Sequence, residues 1–177
     1  MKVAELFERI TQTPTTFKTY NLANKGLSTL EDLNLPKIVK ALDCSYNKLT
    51  SLDGVPLAVA ESFSCSKNLL TSLEGCPIKI GEHFFCAANK LTSLSGIARH
   101  FNHGFIEGNL VITANPITSH IVEVLAIPQL KKLICQNGSH DLMQAVVIVN
   151  KHLQKSKNIN LCKRELIDSG LAAFAKI

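Results

Sequence analysis

Several features that mark common enzyme and membrane-protein classes are missing from this 177-residue sequence. It has no run of 18 or more apolar residues, so we expect no segment to span a membrane. It also has no glycine-rich phosphate loop, no nucleophile elbow and no paired metal-ligand motif on a predicted helix. We therefore expect no cofactor and no enzymatic activity, although a triad assembled from distant residues would leave no such motif.

Closely spaced cysteine pairs, which usually supply the ligands of structural zinc sites, are absent as well. The cysteines are nevertheless regular, because Cys44, Cys65 and Cys86 occupy one position of a repeat. A metal site or a disulfide is one interpretation of such a series. We favour small buried side chains that stack on neighbouring strands, which is how free cysteine usually behaves. The other cysteines are Cys76, Cys135 and Cys162.

An eleven-residue pattern occurs three times with a step of 21 residues, beginning at Leu42, Phe63 and Phe84. Each copy reads apolar-x-Cys-x-x-Asn-x-Leu-Thr-Ser-Leu, and a fixed short period is typical of repeat architectures. The initial alternation predicts a short strand with one buried face. The asparagine predicts a turn in which its side chain bonds backbone groups, including those of the next repeat. On the return side we expect extended or 3₁₀ backbone.

The pattern resembles the leucine-rich repeat, and the short period with Leu-Thr-Ser-Leu resembles the bacterial and tailed-phage class of these repeats. The resemblance covers roughly residues 17–137. It implies an α/β solenoid with a leucine-rich-repeat-like curved parallel sheet, a short N-terminal helix and a C-terminal helical cap. Because this fold hosts many recognition tasks, the resemblance implies little about function by itself.

After the third copy the spacing changes, and two registers are open. A further step of 21 residues would align Phe105 with Phe84 and would bury Glu107 at the cysteine position. Because burying an unpaired carboxylate is costly, we predict instead that Leu110 begins the next copy. The longer step then predicts a loop from Gly96 to Asn109.

The N-terminal part is predicted to close one end of the repeats. Residues 3–12 read as a short helix, and we predict an N-terminal helical cap over residues 1–16. The first ten residues lack a secretion-type apolar run, so we expect a cytoplasmic location. Residues 17–42 read as a degenerate first repeat. In it Asn24 lies one place early, so we expect a different turn there.

The C-terminal part is predicted to close the other end. A last strand is expected at Leu133–Cys135, so the repeats would span residues 17–138 and a helical cap residues 139–177, within one structural domain. Ser139–Leu153 and Leu161–Lys176 read as its helices. The ending Cys-x-x-Glu-Leu-Ile-x-x-Gly-Leu from Cys162 is similar to the tails of repeat proteins encoded by tailed phages.

Alternate strand residues face outward, and one column of them changes from polar to apolar along the chain. Clustered exposed apolar residues usually mark a partner. The alternative is that the cap helices or the loop at 96–109 cover them. We predict a protein-binding patch centred on His83, Phe85, Val111 and Ile134, with Tyr46 and Lys67 at its rim.

The formal net charge of +5 lies in the last quarter of the chain, where residues 131–177 hold eight Lys or Arg and three Asp or Glu. This imbalance predicts a basic face for an acidic partner, either nucleic acid or protein. The alternative is a solvated face of the cap helices. Only Phe174 is aromatic there, which gives base stacking little support. The candidate contacts are Lys151, Lys155, Lys157, Lys163 and Arg164, beside Lys131 and Lys132.

Two short stretches of the sequence contain histidines that could bind a metal or act in catalysis. His100 and His103 would need a third and a fourth ligand to hold zinc, and none is evident, so an exposed loop is the alternative. His140 and Asp141 are adjacent and would point apart on a helix. We therefore predict no metal site and no catalytic residue.

Three functions remain open. The first is a non-enzymatic protein-binding module, and the phage resemblance implies a host protein as partner and inhibition of a host enzyme or defence system as its task. The second is a nucleic-acid-associated factor that uses the basic C-terminal helices, with binding that falls steeply with salt. The third is an enzyme with scattered catalytic residues, which a deep polar pocket with converging histidine and carboxylate would favour. The oligomeric state is left open.

Overall fold

The computed structural model describes residues 17–177. The predicted helix at residues 3–12 and the predicted cap at residues 1–16 lie outside this range. Within it, ten short strands form two parallel sheets. The major sheet has six strands in the order β1-β3-β5-β7-β9-β10, and the minor sheet has four in the order β2-β4-β6-β8. The strands are β1 Thr19–Asn21, β2 Ile38–Val39, β3 Ala41–Asp43, β4 Ala58–Val59, β5 Phe63–Ser64, β6 Lys79–Ile80, β7 Phe84–Phe85, β8 Phe105–Ile106, β9 Asn109–Val111 and β10 Lys132–Ile134.

The fold class predicted from the sequence, an α/β solenoid with one curved parallel sheet, is wrong. The chain is an α/β fold in which the repeats supply strands to two separate parallel sheets. The second sheet comes from the return segments, which the sequence analysis left as extended or 3₁₀ backbone. Its strands are two residues long, and three of the four bury both residues. Such short segments show no alternation, so periodicity did not reveal them.

Close approach of the return segments depends on glycine, as Gly81 shows. A Cβ built on Gly81 would lie 2.0 Å from the carbonyl oxygen of Ala60 in the preceding repeat. Gly81 N–H donates to the carbonyl of Val59 at 3.0 Å, so the two segments are in direct hydrogen-bonded contact. Only a residue without a side chain allows this distance.

The register predicted for the major sheet after the third copy is confirmed. Phe84 pairs with Leu110 rather than with Phe105, and Leu110 pairs with Leu133. Glu107 is exposed, as expected if it lies outside the core. The predicted loop at 96–109 is wrong in its details. It contains a helical turn, a 3₁₀ turn and strand β8, which continues the minor sheet.

One buried asparagine in each regular repeat joins that repeat to the one before it. The Asn68 amide donates to the carbonyls of Cys65 in its own repeat and Cys44 in the preceding repeat, both at 3.0 Å. Its side-chain oxygen accepts from Leu49 N–H at 3.0 Å. Asn47, Asn89 and Asn115 bond in the same way. The sequence predicted a bridge to the next repeat, and that direction is wrong.

The residue before each of these four buried asparagines has left-handed backbone. Tyr46, Lys67, Ala88 and Ala114 have φ between 52° and 57°. Asn24 occupies the same place in the first repeat, with φ 55°, and its N–H donates to Ser45 as Tyr46 N–H donates to Ser66. The expectation of a different first turn is therefore wrong. Asn24 is simply the left-handed residue of the same turn.

The helices of the described chain follow local capping rules. They are α1 Ile97–His100, α2 His140–Gln154 and α3 Ile159–Asp168, with 3₁₀ helices at Glu31–Leu33, Phe101–His103, Ile121–Ala126 and Ala172–Ala175. Ser139 caps α2 as predicted, because its hydroxyl accepts from Leu142 N–H at 3.2 Å. The second predicted helix ends early. Gly170, at φ +77°, terminates it, and Leu171 N–H turns back to the Leu166 carbonyl at 2.8 Å.

The stacked cysteines lie in the core, as predicted. Cys44, Cys65 and Cys86 are fully buried and free, and the Cys44 thiol donates to the Ser64 carbonyl at 3.3 Å. Burial raises the pKa of Cys44 to about 12 and that of Cys162 to about 11. Burial also raises the pKa of Cys65 and Cys86 well above the ordinary thiol value. These groups are therefore uncharged thiols at neutral pH.

Replacing Asn68 by alanine should destabilise the protein by about 3 kcal/mol, because the buried Leu49 N–H would lose its partner and the Cys44 and Cys65 carbonyls would each lose one of two donors. Urea unfolding followed by circular dichroism would measure the change. The matched control is Asn102→Ala at an exposed position, which should change the free energy of unfolding by less than about 0.5 kcal/mol. Equal urea midpoints for the two variants would contradict the role assigned to the buried asparagines.

The folded protein should react very slowly with an aromatic disulfide reagent near pH 8, because the thiolate is the reactive form and burial raises the pKa of these thiols. All six cysteines should react once urea unfolds the chain. A Ser51→Cys variant supplies an exposed thiol as a positive control. Rapid labelling of Cys44, Cys65 or Cys86 in the folded protein would contradict the buried ladder.

Candidate functional site

The structure brings the predicted apolar residues together on one face of the major sheet. Phe85 pairs with Val111, and Val111 pairs with Ile134, so the three side chains form a row across β7, β9 and β10. Neighbouring strands lie about 4.8 Å apart, which puts the side chains in contact range of one another. Each of the three residues is half-buried, so each keeps part of its side chain accessible to a partner. We call this row, with His83, the sheet patch.

His83 is held at the edge of the sheet patch by two contacts. Its Nδ1 accepts a hydrogen bond from Asn109 N–H at 3.1 Å, so in the neutral ring the proton is on Nε2. Its ring meets that of Phe85 edge to face, with centroids 5.8 Å apart. His83 is therefore a fixed neighbour of Phe85 rather than a free side chain.

Tyr46 and Lys67 form a contact that the sequence did not predict, although both were expected at the rim. The Lys67 ammonium donates to the Tyr46 hydroxyl at 2.6 Å and lies 4.2 Å from the ring centroid. Both side chains are exposed, and Tyr46 is 55% accessible. The pair arises because both residues occupy the left-handed turn position of successive repeats.

The same turn position carries alanine in the next two repeats and Asn137, at φ 58°, in the last one. Ala88 and Ala114 follow Lys67 in the series, next to the strands that carry Phe85 and Val111. The structure thus combines large rim side chains at one end with small ones beside the apolar row. The large exposed side chains at this position are therefore those of Tyr46 and Lys67, whereas the repeats that carry Phe85 and Val111 have alanine there.

Helix α2 contacts the sheet at its outer edge. The side chain of Asn150 accepts from Leu133 N–H and donates to the Leu133 carbonyl, both at 2.8 Å. It thereby satisfies the backbone of the last strand, which would otherwise remain open for pairing with another chain. Through these bonds α2 covers the edge of β10, and Ile134 on the face remains half-buried.

The predicted basic contacts on the C-terminal helices are largely engaged within the protein. Lys151 binds Glu165 at 2.6 Å, and this bond together with one from His152 lowers the pKa of Glu165. Lys157 donates to the Ile127 carbonyl at 3.1 Å, and burial lowers its pKa. Arg164 lies 3.9 Å from Asp168. Lys155 is exposed and Lys163 half-buried.

The histidines considered for chemistry lie apart. His100 Nε2 donates to the Cys76 carbonyl at 2.7 Å, and His103 is exposed beside Asn102. His140 bonds Gln144, and Asp141 is exposed. Across residues 17–177, no group of three or more histidine, cysteine, aspartate or glutamate side chains is arranged to hold a metal ion.

A cavity of about 480 Å³, lined by both apolar and polar residues, was not predicted from the sequence. Beside it, His120 Nδ1 lies 3.1 Å from the Ser93 hydroxyl and 2.8 Å from the Ser119 hydroxyl. In the described part of the chain, no hydrogen bond joins His100 or His120 to a carboxylate. The only sequence signal of the cavity is the lengthened repeat. Its lining is Thr71, Ser72, Leu73, Glu74, Cys76, Ser93, Leu94, Ser95, Gly96, Ile97, Arg99 and His100.

No protein-family model matches the chain, and no curated protein matches it. None of the helices between residues 17 and 177 has both the length and the apolar character that crossing a membrane requires.

Proposed function

We propose that the chain is a non-enzymatic protein-binding protein that contacts its partner through the sheet patch. The observation that carries the proposal is the in-register row of Phe85, Val111 and Ile134 on neighbouring strands. Partly accessible apolar and aromatic side chains on a rigid surface are typical of the centre of protein interfaces. Burying such a row against a partner would remove apolar area from water at little entropic cost, because the backbone is already fixed.

The charges around the patch indicate the chemistry of the partner. The row itself is uncharged, whereas Lys67 lies at the rim and Lys132 is exposed on β10 beside Ile134. A partner surface that matches this pattern has apolar residues at its centre and acidic residues beside them. The repeat resembles the bacterial and tailed-phage class, and this resemblance supports a host protein as the partner. The same proposal includes inhibition of that protein as the task and the cytoplasm as the location.

The basic C-terminal face is the weaker candidate. Three of its five cationic groups already bind a carboxylate or a carbonyl within the protein: Lys151, Lys157 and Arg164. Neutralising DNA phosphates with these groups would first require breaking those contacts. A nucleic-acid-binding function would also predict a steep loss of affinity with salt, which gives a simple test beside the main one.

Phe85→Asp should abolish capture of the partner, because a charge at the centre of the row would be desolvated on binding. The wild-type protein would be immobilised, exposed to host lysate, and the bound protein identified and titrated. We expect the variant to bind at least about a hundredfold more weakly. Val147→Asp is the matched control, because Val147 is 68% exposed on helix α2 and should leave binding unchanged.

Thermal melting of both variants separates lost binding from lost folding. Since Phe85 is half-buried, Ile134→Glu on the last strand provides a second disruption of the same row. Capture that survives both substitutions would contradict the proposal. A salt-sensitive shift of DNA in a gel, unaffected by Phe85→Asp, would favour the nucleic-acid function instead.

A further inference from the structure

The cavity at residues 71–100 lies where the repeat departs from its regular step. Between β6 and β8, and between β7 and β9, corresponding residues are 26 positions apart, against 21 for the preceding repeat. Both sheets keep their register across this change, so the five extra residues fall between β7 and β8. This stretch contains α1 and the 3₁₀ turn after it, which we call the inserted segment and which supplies one wall of the cavity.

A buried carboxylate holds the inserted segment in place. Glu123 is 4% exposed, and its Oε2 accepts from Gly96 N–H at 2.9 Å and Ala98 N–H at 3.4 Å. The imidazole of His100 adds a bond to the Cys76 carbonyl across the cavity walls. The cavity is therefore bounded by groups that the fold keeps fixed, and it has the size of an ordinary small-molecule site.

The lining combines one anion and one cation that are not paired with each other. Glu74 comes from one repeat and Arg99 from the inserted segment, and both are exposed. Within residues 17–177 neither side chain lies within 4.0 Å of an opposite charge. The lining also includes the side chains of Leu73, Leu94 and Ile97 and the hydroxyls of serine and threonine residues.

We propose that this cavity binds a small zwitterion with an apolar side chain, that is, a free α-amino acid. Glu74 receives the ammonium group, Arg99 receives the carboxylate, and the apolar residues contact the side chain. A simple anion is disfavoured because Glu74 would repel it, and a simple cation because Arg99 would. None of the lining residues belongs to the sheet patch, so this site and the protein-binding proposal can fail independently.

Titration of the ¹⁵N-labelled protein with L-leucine tests the site. We expect the amides of Ser93, Ser95 and Ile97 to shift with a dissociation constant of about 1 mM or lower. N-acetyl-leucine lacks the ammonium group and leucine amide lacks the carboxylate, so each should bind about tenfold more weakly. Glycine, which lacks the side chain, should also bind more weakly. The absence of shifts at ~20 mM leucine, far above that dissociation constant, would overturn the proposal.

Two variants assign the charges. Arg99→Gln should remove the preference for leucine over leucine amide, and Glu74→Gln should remove the preference for leucine over N-acetyl-leucine. Both positions are exposed, so folding should persist, and thermal melting verifies it. Arg164→Gln and Glu31→Gln are matched exposed controls outside the cavity and should change neither preference. Shifts that are the same in all four variants would show that leucine binds elsewhere and would overturn the proposal.

Discussion

The hydrogen bonds of one buried asparagine per repeat are the constraint on which the rest of this structure depends. Each turn buries backbone N–H and C=O groups that no strand partner can reach, and an unsatisfied buried group costs about 1–3 kcal/mol. The Asn68 and Asn89 amides satisfy groups of their own repeat and of the preceding one at once. A side chain with both a donor and an acceptor is required, which excludes aspartate and leucine. Stacking and turn geometry are therefore fixed by the same residue.

This constraint also explains the unusual backbone beside it. To place the asparagine correctly, the preceding residue adopts left-handed φ, at a cost of about 1–2 kcal/mol for a residue other than glycine. The chain accepts that cost at Tyr46, Lys67, Ala88 and Ala114. In return, the side chains at this position project at a fixed spacing along the turns. The Tyr46–Lys67 contact is a consequence of which residues stand at this position.

The sequence predicted the major sheet well because its evidence was periodic. The identical copies defined the inward residues, and the cost of burying Glu107 selected the register that pairs Phe84 with Leu110. The minor sheet was missed because strands such as Ile38–Val39 are too short to show a period. The overlong second C-terminal helix was wrong because Gly170 acts as a helix terminator there, a role that depends on its backbone conformation.

The two candidate sites also differ in how far the sequence could predict them. The columns of the sheet patch could be written down once the register was known, because strand alternation alone assigns their faces. The contact between Lys67 and Tyr46 could not, since it depends on left-handed turns in successive repeats. The cavity could not be predicted, because its walls come from two turns and from an insertion that the sequence indicated as a loop. Predicting the cavity would require the position of α1. That position is fixed by a hydrogen bond from Gly96 N–H to the side chain of Glu123, which lies 27 residues later in the sequence.

Helix α1 lies where the chain departs furthest from its own repeat length. Since β6 pairs with β8 and β7 with β9 in unbroken register, the insertion is not needed to keep either sheet intact. A step of 21 residues would have satisfied the same ladder at lower conformational cost, without a buried carboxylate to anchor α1. Places where a sequence departs from the rules of its own fold are expected to be functional or strained sites. The sheet patch follows from the pairing register of the major sheet, whereas the cavity follows from the longest step between neighbouring strands of that sheet.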